Sequence, residues 1–112
     1  MPIVTEKIND VSIIFADIKR AVKVDADDLK NEVQIELNKG STKFIFDLSP
    51  CDFIDSTLLA AIVISYKRIV ESKGKLKIVG FKPLVHSMFN LTSLSKIFDI
   101  YENRQKALMS FK

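Results

Sequence analysis

The spacing of apolar residues along this chain changes period several times, and each change marks an element. Residues 3–8 and 11–18 are rich in β-branched and aromatic side chains and are separated by Asn9-Asp10, a dipeptide suited to a tight turn, so they predict a strand hairpin. Residues 25–39 carry apolar positions at Leu29, Val33, Ile35 and Leu37. Asp27 and Asp28 favour the positive start of a helix there, and Gly40 is available to end it. Lys43-Phe44-Ile45-Phe46-Asp47-Leu48 is a short apolar run with little alternation, the pattern of a strand covered on both faces, and it is the candidate central strand.

After a loop containing Pro50, residues Leu59, Ile62, Val63, Tyr66, Ile69 and Val70 recur at helical spacing, with Lys67, Arg68 and Lys73 between them and Gly74 as the stop. Residues 76–79 form a further short strand. Pro83 opens a helix to about Leu91, and residues 98–101 make a last strand before a helix from Asn103. The order β-β-α-β-α-β-α-β-α defines an α/β fold: a mixed, mostly parallel sheet of four to five strands packed with about four helices. In open sheets of this kind functional groups gather at the carboxyl ends of the strands, which puts residues 47–57 at the functional edge.

Length and composition narrow the classes. A chain of 112 residues with 47% apolar side chains is expected to form one domain, 1–112, around one core. No stretch of about 18 apolar residues exists, so membrane insertion is not expected. The start, Met1-Pro2-Ile3-Val4-Thr5-Glu6, lacks the layout of a secretory signal, which predicts a cytoplasmic protein. The one cysteine, Cys51, can form neither an internal disulfide nor a zinc cluster. The net charge of +3 comes from 17 basic and 14 acidic residues scattered singly or in pairs, which predicts a solubilising surface rather than a nucleic-acid face.

Asp55-Ser56-Thr57 immediately precede the strongest amphipathic helix. Such residues are common at helix starts because their oxygens accept backbone N–H bonds. A hydroxyl at that place is also chemically suited to phosphorylation, because unpaired N–H groups and the helix dipole stabilise a phosphate. Spacing alone leaves both readings open. Phe53, Ile54, Leu58 and Met88 suit either an apolar rim for a protein interface or the core.

Other chemistry finds little support. Asp47 ends a strand like the phosphoacceptor of a receiver domain, and Lys82-Pro83 imitates the late Lys-Pro of such domains, but neither Asp10 nor Asp17 has the acidic neighbour a magnesium site requires. His86 has no partner implied by local spacing. Asp52 and Asp55 lack the signs of a cleft that acid–base catalysis would need. The glycines Gly40, Gly74 and Gly80 stand singly, so no nucleotide cradle and no cofactor is expected. No nucleophile–base pair can be assembled, and the chain is expected not to be an enzyme.

Phe46-Asp47-Leu48-Ser49, followed by Cys51-Asp52-Phe53-Ile54-Asp55-Ser56-Thr57, resembles the signature of the STAS domain family, which includes the bacterial anti-sigma factor antagonists. The resemblance continues through Lys75-Leu76-Lys77-Ile78-Val79-Gly80, Thr92-Ser93-Leu94 and Ile97-Phe98-Asp99-Ile100-Tyr101, and spans residues 43–108. It implies that Ser56 is phosphorylated by a serine kinase that is itself the anti-sigma factor, with a phosphatase reversing the reaction. The unphosphorylated form would bind that kinase and release a sigma factor. Asp52, Phe53, Asp55, Thr57 and Leu58 would flank the phosphosite and contact the partner. Leu58 stands where the family motif usually has glycine, and Ser93 where it has the glycine of Thr-Gly-Leu. A side chain at position 58 would occupy space that glycine leaves open. The alternative of a different class is an unphosphorylated module of the family serving as a scaffold subunit or small-ligand sensor.

Overall fold

The computed structural model describes residues 3–21, 23–80 and 82–111. Strands β1 (Ile3–Ile8) and β2 (Val11–Ala16) form the hairpin, in antiparallel register from Ile3↔Ala16 to Ile8↔Val11. Asn9 in the connecting turn takes a left-handed φ of 58°, a conformation asparagine tolerates better than most residues. The chain continues through β3 (Arg20–Ala21), α1 (Lys23–Asn38), β4 (Lys43–Asp47), β5 (Phe53–Ile54), α2 (Ser56–Glu71), β6 (Lys75–Val79), α3 (Pro83–Leu91), a short 3-10 turn (Leu94–Lys96), β7 (Asp99–Tyr101) and α4 (Arg104–Met109).

The main sheet runs β1-β2-β4-β6-β7, with β1 antiparallel and every other neighbouring pair parallel. The α/β expectation of a mixed, mostly parallel sheet of four to five strands with about four helices is met. Alternation along β4 divides the interior. Phe44 and Phe46 join Leu29 and Val33 of α1, Ile62 and Ile69 of α2, and Val85 and Phe89 of α3 on one face. Ile45 points the other way, toward Val11, Ile13, Val79 and Ala107 of α4. Both faces of the central strands are therefore covered, which is why β4 reads as an unbroken apolar run.

Helix boundaries and faces depart from the sequence expectation in specific ways. Helix α1 begins at Lys23, so Asp25 rather than Asp27 or Asp28 lies in its first turn. Its buried apolar positions are Ala26, Leu29 and Val33, while Ile35 is 46% exposed on the outer side. Helix α2 is rotated relative to the predicted face. It buries Leu58, Ala61, Ile62, Ser65 and Ile69, and leaves Val70 exposed. The small residues Ala61 and Ser65, which a hydropathy pattern passes over, lie on the inner side of α2, where α1 packs closely against it.

Helix α2 is stopped by Lys73, not Gly74: Lys73 takes the left-handed φ of 64°, and the Gly74 N–H donates to the Ile69 carbonyl at 2.8 Å. Gly74 is required for closeness instead, since a Cβ there would lie 2.6 Å from the Thr42 carbonyl oxygen. Gly40, at φ 94°, ends α1 as expected.

Candidate functional site

The carboxyl ends of β4 and β6 are joined by the Leu48 N–H donating to the Val79 carbonyl at 2.6 Å, and the segment 48–55 crosses this edge to reach α2. A feature absent from the sequence reading fixes its course. After β2 the chain forms β3, whose Arg20 and Ala21 pair in parallel with Phe53 and Ile54 of β5. The Lys19 carbonyl accepts from the N–H groups of Asp52 at 2.7 Å and Phe53 at 3.1 Å. Two-residue strands carry no periodicity, so hydrophobic pattern could not reveal them.

Asp47 is buried at this edge, with a carboxylate that is already engaged. Oδ1 accepts from the Ser49 N–H at 3.0 Å and Oδ2 from Arg104 Nε at 2.5 Å. Arg104 also pairs with Glu6 and lies over the Phe15 ring at 5.0 Å. Burial pulls the Arg104 pKa down, but its hydrogen bonds to Asp47 and Glu6 outweigh this and raise it above the ordinary value. Asp47 is thus a structural anchor, and Lys82 pairs with Asp52 at 3.0 Å rather than with Asp47, so the likeness to a receiver site ends at the sequence. Arg104 escaped the sequence reading because the 57 residues separating it from Asp47 hide the contact; a basic residue opening the last helix is too common a signal to reveal it.

Within the segment, Cys51 and Ile54 are fully buried. Burial, together with the charges of Asp47, Asp25 and Asp52, pushes the Cys51 thiol up to about 12. Asp52 is exposed. Phe53 is half-buried, with the Arg20 guanidinium 4.6 Å above its ring.

Asp55 is the N-cap of α2, in extended conformation, and its carboxylate accepts the Leu58 N–H at 2.8 Å. Ser56 and Thr57, the first two helical residues, are both exposed. Leu58 is not: at 1% exposure its side chain points into the core beside Ile54 and Ile62. This decides between the two readings of Leu58 and Ile54 and corrects the expectation that the Leu58 side chain crowds the serine. Leu58 and Ile54 belong to the core and cannot form a partner-facing rim, and the leucine in place of the family glycine leaves the outer surface beside Ser56 open. Met88 is partly buried against the same core. His86 is half-buried on α3, with Nδ1 3.4 Å from the Asn90 amide.

Among the described residues no group of three His, Cys, Asp or Glu side chains is placed to hold a metal ion, and no helix is long and apolar enough to cross a membrane. What the edge presents is an exposed hydroxyl pair on a helix N-terminus, following a segment that carries the Asp52–Lys82 pair, the Arg20–Phe53 stack and the Asp55 cap.

Comparison with known proteins identifies the family. BtrV of Bordetella bronchiseptica, a candidate anti-sigma factor antagonist, is 28% identical over 87 residues, which covers 78% of this chain and 75% of BtrV. The crystal structure of a candidate anti-sigma factor antagonist from Thermotoga maritima superposes with a TM-score of 0.86 at 30% identity, covering 96% of this chain and 92% of that one. At the level of fold alone, the phosphorylated form of the Bacillus cell fate determinant SpoIIAA gives a TM-score of 0.78 at 12% identity, covering 98% of this chain and 99% of that one. Residues 3–107 match the STAS domain, and the chain belongs to that family.

Proposed function

We propose that this protein is an anti-sigma factor antagonist: a regulatory binding protein whose unphosphorylated form engages an anti-sigma factor and whose binding is switched off by a phosphate on Ser56. The observation that carries this reading is the division of labour at the start of α2. Asp55 is used as the cap and Leu58 as core, while the Ser56 hydroxyl stands exposed on the first helical residue. A phosphate there meets the unpaired N–H groups and positive end of a helix of 16 residues, so it is tolerated by the fold. It adds about −1.5 to −2 charges beside Asp52 and Asp55. Burying that charge against a partner costs several kcal/mol unless new cations meet it, so the modified surface releases its partner.

In this reading Thr57, Asp52 and Phe53 contribute contact surface, Asp55 shapes it, the kinase is the anti-sigma factor itself, and a phosphatase resets the switch in the cytoplasm. The alternative of an unphosphorylated scaffold or sensor drew its support from Leu58. That support is withdrawn, because the Leu58 side chain is directed away from the surface that a kinase would approach.

The test is incubation of the purified protein with candidate anti-sigma kinases from its own genome and ATP, followed by intact-mass and peptide mass spectrometry. The expected result is one phosphate on Ser56 and loss of the complex, with Ser56→Ala binding constitutively and Ser56→Asp binding weakly. No phosphate with any kinase, or equal affinity of the two variants, would overturn the switch.

A further inference from the structure

Lysines that are dispersed along the sequence are gathered by strand register at the end of the sheet opposite Ser56. Lys43 begins β4 and Lys75 begins β6, and the two are direct neighbours in the parallel pairing. They share the sheet face of Ile45 and Val79, the face that α4 covers. Lys77, two residues further along β6, lies on the same face. Lys73, in the turn leading into β6, completes the group. Together with Thr42, Ser110 and Phe111 these four lysines line a cavity of about 260 Å³, and among the described residues no carboxylate joins them.

The arrangement is constrained rather than incidental. Asp10 holds Lys43 at 2.8 Å and Asp99 holds Lys77 at 2.8 Å, each from outside the cavity. Lys77 is only 14% exposed and lies 5.5 Å from the Phe111 ring centroid. The Lys75 N–H donates to the Thr42 carbonyl at 2.7 Å, locking the two strand starts together. Lys73 is held in a left-handed conformation that a residue with a Cβ adopts at a cost. Among the described residues neither Lys73 nor Lys75 has a carboxylate in salt-bridge range. Among the described residues, four ammonium groups are met by two carboxylates, an excess of two positive charges. Like charges directly opposite on neighbouring strands destabilise a sheet. A fold that concentrates them around a concavity is relieved by an anion seated among them.

We propose that this cavity is a phosphate-binding site taking a diphosphate group. Lysine is a compact, multidirectional donor suited to phosphate oxygens. The volume falls below the roughly 300–1,000 Å³ of pockets that enclose whole drug-sized ligands. It accommodates the charged group, and the rest of any larger carrier remains outside. The site lies about five strand residues, roughly 17 Å, from the α2 edge, so its occupancy is independent of the Ser56 reading.

The test is thermal unfolding and amide NMR titration of the full chain with sodium pyrophosphate, with sodium chloride at matched ionic strength as the control and ADP as a parallel arm. Pyrophosphate is expected to raise the thermal midpoint beyond the chloride control and to shift amides at residues 42–43 and 73–77. Equal affinity for ADP means that the group alone is read, and tighter ADP binding means that a nucleotide carries it; both support the site. Lys75→Gln is expected to weaken pyrophosphate at least tenfold while raising the midpoint of the ligand-free protein, because it removes the cross-strand repulsion. An equal effect of chloride, shifts confined to the start of α2, or unchanged affinity in Lys75→Gln would overturn the proposal.

Discussion

Replacing Leu58 with alanine separates two roles that position 58 could have, and the structure decides the direction. The side chain is 1% exposed and belongs to the core cluster that also contains Ile54, Ala61, Ile62 and Val85. Leucine-to-alanine changes at buried sites cost about 2–5 kcal/mol, the upper values where the surroundings cannot collapse. Here the cluster includes the β-branched, fully buried Ile54, Ile62 and Val85, so collapse is restricted and about 3–4 kcal/mol is expected. Alanine returns a few tenths through its higher helix propensity. The cap is untouched, because Asp55 accepts the backbone N–H of residue 58 whatever its side chain.

The net expectation for Leu58→Ala is a loss of about 3 kcal/mol, or roughly 12 °C in thermal midpoint at about 4 °C per kcal/mol for a chain of this size. Urea unfolding followed by circular dichroism measures the first, and under the proposed function calorimetric titration of the folded variant with an anti-sigma partner should give wild-type affinity. A loss below about 1 kcal/mol accompanied by weakened binding would refute the reasoning, since it would place Leu58 on the interface.

Two further changes probe the interior. The Ser65 hydroxyl is fully buried with no hydrogen-bond partner among the described residues. Ser65→Ala should therefore stabilise the protein by about 1 kcal/mol in denaturant titration, since an unsatisfied buried polar group costs roughly 1–3 kcal/mol; a clear loss would reveal a bond the hydroxyl makes. The Cys51 thiol has its pKa raised from 9.0 to about 12 by burial and neighbouring carboxylates. The folded state thus holds the proton that the unfolded chain gives up, and the stability this contributes is complete below about pH 9 and is lost as pH rises toward 12. The difference in unfolding free energy between the wild type and Cys51→Ala should narrow across that window, and Cys51 should resist alkylation at pH 8 until the protein unfolds. Rapid native-state alkylation would contradict it.

How far the sequence reveals this fold depends on the kind of signal each element carries. β4 was legible because both its faces are buried, and an uninterrupted Phe-Ile-Phe run in a chain with helical crossovers suits a covered central strand far better than an edge strand with one wet face. α1 and α2 were legible as helices but not in their exact facing. The inner side of α2 uses Ala61 and Ser65, whose value is small size against α1 rather than hydrophobicity. Pairings between distant residues left no mark in the pattern. Arg104 with Asp47, Lys43 beside Lys75, and β3 with β5 all depend on register, which only the assembled sheet supplies. At the candidate site the sequence anticipated a cap at the start of α2, but it misjudged Leu58 because a motif compares residue types and is silent on which side of the helix faces outward.

The way the edge is fastened bears on how a phosphate there would act. Its first residue, Asp47, is clamped by Arg104, and its last, Asp55, is committed to capping α2. Between them Cys51 and Ile54 are anchored in the core, and the backbone at Asp52 and Phe53 is bonded to Lys19. A charge added to Ser56 meets a segment with fastenings at nearly every second residue, and the hydroxyl itself is used in none of them. Refolding the segment would require several of these to break together, whereas a changed surface potential requires none. Under the proposed function the phosphate therefore acts directly on the contact with the partner, through charge and desolvation, and the phosphorylated chain should keep the backbone of the unmodified one. Backbone amide shifts of the phosphorylated protein that extend from Ser56 through β4 to Arg104 would instead mean that the clamp opens and that the switch is conformational.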